Sequence, residues 1–579
     1  MALSTPSESP AVVVKEIDLT SSVPGVQSTT GAFVGNFRWG PVGQRVQVSN
    51  ETELVNTFAN PDSYNTIDFH TAAYYLKYGN NLQVVRESTT ASLNSWGTIF
   101  QTASDSAGGG DKIDNKVSFD ANLSTLEAQG YTFIGRYPGI LGNSLKVSIC
   151  PGADSSGIFD AWAYKSSFDA YPSTSTYADN RSSSLDEMHI IVVDQDGEFT
   201  GTAGTVLERF PFVSQAADAK AADGTSIFAK DVINQTSEYV YMLNAVDSAH
   251  ASFGQPASGA NNYRGSHTTD IELANGVNSG TLTATEFALG HDLFEDKDVV
   301  EIDFLIAPDN SSSTHITVVN DLVANAAARK DCIVVASPRR SDVVGVTSAA
   351  TITTNIVSTA DDFTNSSYLV VDGNYLKVYD KYNDQYIQIP ASSSTAGIMA
   401  ATDRDRAPWF SPAGQRRGQY LGVTAIDYIP TKAQRDTLYK AGVNPVANIP
   451  GQGIVLFGDK TKLARPSAFD RINVRRLFLV LERAISRAAE SVLFEFNDEF
   501  TRAEFVNIVE PLLREVQGRR GITDFRVVCD ETNNTQAVID RNEFVASIFI
   551  KPARSINYVT LNFVAVRTGV EFTEVVGTV

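Results

Sequence analysis

A chain of 579 residues with 42% hydrophobic content and a formal charge of −21 is long enough for several cores, and its acidity argues against nucleic acid as the main partner, because phosphates would be repelled. The three cysteines, Cys150, Cys332 and Cys529, lie far apart without paired spacing, so neither a disulfide framework nor a zinc site is indicated, and buried free thiols are expected. The opening MALSTPSESP has no basic residue ahead of an apolar run, and no long uninterrupted apolar stretch follows anywhere, so a soluble protein is expected.

Residues 1–22 read as an arm. Val12, Val13, Val14 and Ile17 form a β-prone run flanked by Ser, Thr and Pro, with no neighbour close in sequence to pair with. From 23 to 430 the chain reads as the middle and outer domains. GAFVGNFRWGPVGQ (31 to 44) predicts a strand and a Gly/Pro turn, and LVNTFANP (54 to 61) an amphipathic segment. Asp68 to Tyr78 predicts a helix with Phe69, Ala72, Ala73 and Leu76 inward, followed by a β-run to Arg86. Trp39 and the Tyr74-Tyr75 pair read as core, not as a binding platform. A variable surface insertion is expected over about 88–136; its Gly108-Gly-Gly-Asp111 run lacks the Lys-Ser/Thr and the leading strand of a phosphate loop. Ser155 to Leu185 reads as a surface loop, Met188 to Asp194 resumes strand, and the fold of 88–298 is otherwise illegible.

A βαβ unit is predicted next, with runs at Val299–Ala307 and Cys332–Ser337 around a helix over 312–329. Ligands favour the carboxyl ends of such strands, which would place Asp309, Ser337, Arg339 and Arg340 there and makes an α/β enzyme the alternative class. The turn PDNSSSTH is not a dinucleotide fingerprint, however, and no nucleotide-loop, nucleophile-elbow or metalloprotease pattern occurs. The six histidines are scattered singly, with His315 expected to cap or face solvent, and Asp403 and Asp405 beside Arg404 and Arg406 read as a solvated or interfacial cluster. No catalytic, cofactor-binding or metal-binding residues are assigned. Gly373 and Asn374 mark a turn, a helix starts after Pro430, Gly451–Gly458 reads as a strand, and a domain boundary is placed near Thr431.

The C-terminal domain, 431–566, carries the most regular pattern. Val474, Leu477, Phe478, Leu481, Ala484, Ile485, Ala488 and Val492 recur at helical spacing as one apolar stripe. A second helix is expected to begin with Thr501 as cap, to kink at Pro511 and to end at Gly518 and Gly521. The β-prone runs Phe525–Cys529, Phe544–Ile550 and Ile556–Val566 follow. Between Lys460 and Arg487 eight basic residues face two acidic ones, a local +6 within an acidic chain. The last segment, 567–579, repeats the unpaired β character with Val570, Phe572 and Val575.

FDRINVRRLF (469 to 478), RVVCDETNNT (526 to 535), VIDRNEFVAS (538 to 547) and KPARSINYVTLNFVA (551 to 565) closely resemble the C-terminal domain of tail sheath proteins of contractile-tailed bacteriophages. Residues 30–87, 137–147 and 371–420 also look like the scaffold of that family. The resemblance implies an α+β and α/β multi-domain sheath fold, with βαβ-containing middle domains, a C-terminal domain of two helices on a small sheet, and extended arms. It further implies a structural, non-enzymatic subunit without cofactors that stacks as hexameric rings around a tail tube and contracts to drive the tube through the host envelope. Implied partners are other copies of the chain, the tube, the baseplate and the tail terminator, with no direct nucleic acid contact and no membrane insertion. Its implied location is the virion tail, after assembly in the host cytoplasm. The two arms would exchange strands with neighbouring subunits, and some of Arg471, Arg475, Arg476, Arg483 and Arg487 would form a tube-facing basic patch, the alternative being that they pair with Glu and Asp of this subunit or its neighbour. A sheath from a non-phage contractile injection system is the first alternative, ahead of the α/β enzyme.

Overall fold

Short β-branched runs whose side chains alternate between two faces build the centre of the molecule. In the computed structural model, which describes residues 29–98, 110–244, 252–257, 261–278, 280–309 and 314–555, these runs make a seven-stranded sheet. Its order is Val443–Asn444, Leu369–Asp372, Ile333–Ala336, Phe304–Ile306, Gly31–Gly35, Leu82–Arg86 and Arg45–Val48, parallel except at the last edge. The predicted βαβ unit is present, as Phe304–Ile306 and Ile333–Ala336 pair in parallel and helix Thr314–Arg329 connects them.

Both faces are covered, as a parallel sheet requires. Leu305, Val334, Leu369 and Val371 pack against Val318, Leu322 and Ala326 of helix Thr314–Arg329 and against Ile352 and Ile356 of helix Ala349–Asp362. Phe304, Ile306, Ile333, Val335 and Val370 point the other way, toward Phe69, Ala72 and Ala73 of helix Thr66–Leu76 and Ala396, Met399 and Ala400 of helix Ser392–Asp405. Trp39, Tyr74 and Tyr75 are buried in cores.

The region illegible in the sequence holds two further sheets. One runs Thr269–Glu272, Leu145–Pro151, Glu187–Asp194 and Thr205–Ser214, all antiparallel. The other joins Trp96–Gly97, Phe133–Gly135 and Val240–Met242, with Phe119 of helix Lys116–Ala128 stacked 3.8 Å from Tyr241. Ser155 to Leu185 is more than a surface loop, because it contributes short helices at Gly157–Ala161 and Thr176–Asp179 and buries Trp162 and Ala178. The aromatic residues supply enough apolar area to hold a polar stretch down.

The chain divides into two compact units. Residues 29–408 and 412–483 belong to the larger, and 409–411 and 484–555 to the smaller. The compact unit therefore does not end near Thr431. Helix Lys432–Lys440, capped by Thr431 and Gln434, leads directly into Val443–Asn444 at the edge of the large sheet. In the smaller unit, helix Glu499–Gly518 buries Phe505, Val509, Leu513 and Val516, and strands Ile522–Val528 and Ser547–Pro552 pair antiparallel. Its cap is Asp498, which accepts from the Thr501 amide at 2.9 Å, so the helix begins before the expected Thr501. It runs through Pro511, and the left-handed residue after it is Arg520 (φ 65) and not a glycine. Trp409 belongs to this unit and donates from Nε1 to the Arg519 carbonyl at 3.1 Å. The expected run Ile556–Val566 and both arms lie outside the described residues.

Helix Ser392–Asp405 approaches its neighbour closely. A Cβ at Gly397 would lie 2.5 Å from Tyr78 Cδ2, and Tyr78 is buried with its hydroxyl accepting the Leu421 amide at 2.6 Å. Glycine to alanine inside a helix normally stabilises by about 1 kcal/mol. Here Gly397→Ala is expected to destabilise by about 1–3 kcal/mol, because the ring cannot retreat. Urea unfolding of the unpolymerised chain checks the sign.

Candidate functional site

The arginine-rich helix spans Ile472–Glu490, and the part up to Arg483 lies in the larger unit. It is not amphipathic there in the expected way. Ile472, Asn473, Val474, Arg475, Arg476 and Leu477 are all buried in succession, so the polar face is covered as well as the apolar one.

The predicted basic patch is accordingly an internal one. Arg476 makes a two-pronged ion pair with Asp403, its Nη1 2.6 Å from Oδ1, and lies 4.4 Å over the Phe304 ring. Arg483 donates to Asp303 at 2.8 Å and to the carbonyls of Ile302 and Asp331 at 2.9 Å each. It thereby ties together the amino-terminal ends of two adjacent parallel strands. Burial alone would lower the Arg483 pKa, but Asp303 and Asp331 outweigh it and hold the guanidinium above its ordinary value. Arg475 sits 4.1 Å over Tyr368 and 4.8 Å over Phe469, and Arg471 pairs with Asp459 at 2.9 Å. Arg475, Arg476 and Arg483 thus have no open face to offer a tube, and Arg471 is engaged within its own unit. Arg487 falls in the smaller unit and is half-buried. Asp403 is likewise no solvated charge, being 1% exposed in its ion pair, whereas Arg404 and Asp405 stay outside and pair with each other. Desolvating Arg476, Arg483, Asp403 and Asp303 is tolerable because they pair with one another, whereas buried Arg475 is covered by aromatic rings.

The carboxyl edge of the large sheet, where an enzyme would place its site, is also occupied by its own side chains. Asp309 takes Arg340 Nη1 at 3.1 Å and the Tyr375 hydroxyl at 2.7 Å. Ser337 Oγ donates to Asp372 at 2.8 Å and accepts the Ser392 amide at 3.0 Å. Arg339 reaches Thr359, which in turn donates to Asp342 at 2.6 Å. His315 is neither a cap nor a surface residue; it is buried, and Nε2 meets the Ser337 carbonyl at 2.9 Å. Burial lowers its pKa and favours the neutral ring. Burial also pushes Asp372 up to about 8, so it holds a proton at neutral pH. Asp309, Ser337, Arg339 and Arg340 are brought together as expected, but as a latch between sheet and flanking elements. Cys150 and Cys332 are buried free thiols, and Cys529 is half-buried. Among the described residues no group of three or more His, Cys, Asp or Glu side chains could hold a metal ion, and no helix is long and apolar enough to cross a membrane.

Val12, Val13, Val14, Ile17, Val570, Phe572 and Val575 lie outside the described residues. Sequence reasoning missed the anchoring role of Asp303, Asp403 and Asp459. Each is separated by tens or hundreds of residues from the rest of the charge pattern except for Asp459, which stands one residue before the counted run.

This architecture, a large mixed sheet wrapped by helices with side sheets and a small helical unit, is shared with solved sheath tail proteins. The one from Listeria innocua superposes with a TM-score of 0.54 over 91% of this chain and 96% of its own at 11% identity, and that from Desulfitobacterium hafniense with 0.53 over 93% and 100% at 12%. The fold is that of a sheath tail protein. Residues 291–462 match the phage tail sheath protein central domain and 464–565 the phage tail sheath C-terminal domain. The tail sheath protein of Enterobacteria phage T4 is 34% identical, and that of Vibrio phage KVP40 33%, each over 98% of this chain and 99% of the relative. The chain belongs to the tail sheath protein family of contractile-tailed bacteriophages, and it is a structural subunit of a contractile tail sheath.

Two outcomes test the site as described. Arg476→Ala leaves Asp403 buried without a partner and is expected to cost about 3–5 kcal/mol in the unpolymerised chain. Thermal melts of the monomer measure it; an outward tube contact would leave monomer stability unchanged. The second concerns pH. Asp372 binds its proton more tightly folded (about 8) than unfolded (3.8), so its contribution is full below the unfolded value and is lost as pH rises through the folded one. Asp372→Asn should therefore lose less stability than the wild type between pH 5 and pH 8, read from paired melting curves.

Proposed function

We propose that the chain polymerises with copies of itself as stacked hexameric rings around a tail tube, and that shortening of this lattice drives the tube through the host envelope. The observation that carries the reading is the two-stranded sheet of the smaller unit. Among the described residues, Ile522–Val528 and Ser547–Pro552 pair only with each other, a two-stranded sheet with room for further strands. Open edges are completed by added strands, and the β-prone arms 1–22 and 567–579 of neighbouring subunits have the composition to do it through Val12, Val13, Val14, Ile17, Val570, Phe572 and Val575. Leu19–Gln27 and Val566–Val570 then act as hinges. The order of domains is arm, middle and outer domains, C-terminal domain against the tube, arm.

The subunit does its work by changing lattice contacts and without making or breaking a covalent bond. The internal pairing of Asp309, Ser337, Arg340 and Asp372 supports this, since the groups that would serve chemistry instead hold the fold. The tube, the baseplate and the tail terminator are its partners besides itself, without direct nucleic acid contact or membrane insertion. Assembly takes place in the host cytoplasm, and the product resides in the virion tail.

Negative-stain microscopy of purified full-length chain should show tubes or rings. Removal of residues 1–22 or of 567–579 should abolish them while leaving the monomer's melting temperature unchanged. Tubes that persist after both deletions would refute strand exchange.

A further inference from the structure

The smaller unit has two chemically opposite ends, and the geometry points to their docking on each other between copies. Helix Glu499–Gly518 sets the distance between them, since its 20 residues extend about 30 Å. At the Glu499 end, Leu493 is 60% exposed, Phe494 105%, Phe496 83% and Phe500 85%. The loop 529–546 closes onto this end, because Asn497 Nδ2 donates to Asn534 Oδ1 at 3.2 Å and to the Glu543 carbonyl at 2.8 Å. Residues 491–502 and 526–546 together hold seven acidic side chains against three basic ones, a local −4. This head is aromatic and acidic.

The Gly518 end is the reverse. Strand Ser547–Pro552 returns there, as the Ala553 amide donates to the Gly521 carbonyl at 3.0 Å. Residues 514–524 and 551–554 carry five basic side chains against two acidic ones, a local +3. Arg514, Arg520, Lys551 and Arg554 are exposed. Arg514 and Lys551 do form ion pairs, with Glu510 and Asp524, each at 2.9 Å. Exposed pairs of that kind are worth little and exchange partners readily.

Four large exposed apolar side chains gain by leaving water, and the guanidinium groups of a basic surface can lie over phenylalanine rings and cover them. A second copy supplies that surface. Because head and foot are different patches, the contact is heterologous and repeats without closing on a pair, which is the geometry of a ring or helical polymer. This deepens the reading of the chain as a self-polymerising sheath and rests on it. The acidic rim steers the approach, and burial of the phenylalanines supplies the bulk of the contact energy.

Charge exchange tests the pairing in the full-length chain, with circular dichroism to verify folding and sedimentation to read polymer. The head variant Glu495→Lys/Glu499→Lys and the foot variant Arg520→Glu/Lys551→Glu should each raise the critical concentration by more than about tenfold. Mixed in equal amounts, or combined in one chain, they should recover polymer. The uncharged variant Phe494→Ser/Phe496→Ser should lose it irrespective of salt. Folded head and foot variants that polymerise like the wild type, or that fail to complement each other, overturn the contact. A head variant that still polymerises but no longer binds tubes also overturns it, by assigning the head to the tube. A wild-type chain that never polymerises overturns the sheath reading itself.

Discussion

Two guanidinium groups withdrawn from water are the constraint on which the larger unit depends. Arg476 and Arg483 stand two turns apart on one helix, and each pairs with a buried carboxylate, Asp403 on helix Ser392–Asp405 and Asp303 at the start of a central strand. Breaking either pair leaves a buried charge, which costs far more than the intact pair contributes. The pairs therefore act less as glue than as a lock on position, since the helix can neither slide nor turn on the sheet without stranding a charge. Asp303 also accepts the Thr30 amide at 3.0 Å, so the same lock fixes where the first described strand enters the sheet.

The opposite edge of the sheet obeys the same rule with different chemistry. Asp372 escapes the cost of burial by keeping its proton, and Asp309 by taking Arg340 and Tyr375 together. Where a doubly wound fold of an enzyme would leave a crevice for a ligand, side chains from three successive segments fill it. A subunit that must transmit force benefits from an edge that cannot open, and the ion pairs at the amino-terminal side complete a sheet clamped at both ends.

The smaller unit is built on the contrary principle. It keeps Phe505, Val509, Leu513 and Val516 inside, yet places Phe494, Phe496 and Phe500 outside, and among the described residues its two strands pair only with each other. Such a surface is a liability in an isolated molecule and an asset in a lattice. A charge-locked larger unit and a smaller unit rich in exposed apolar surface fit a subunit of a polymeric sheath.

How much of this was legible beforehand depends on how local each cause is. Apolar periodicity is local, so the βαβ unit, helix Thr66–Leu76, the helix after Pro430 and the pair of C-terminal helices could be read directly, and the ordered strings of the C-terminal domain identified the family. Helix Ser392–Asp405 went unread because its Ser-Ser-Ser-Thr start imitates a loop; only the depth of its burial, with Gly397 against Tyr78, makes it a helix. The two sheets of residues 96–272 were hidden because their strands pair across long polar excursions. Which arginines turn inward was unreadable for a related reason. Charge count along a chain says how many positive groups there are, whereas Asp303, Asp403 and Asp459 are brought to them by the fold. The sequence by itself determined the family, the element types and the acidic balance, since these follow from residue identity and spacing. Only the tertiary structure decided which charges meet water, because solvation depends on what the chain folds over them.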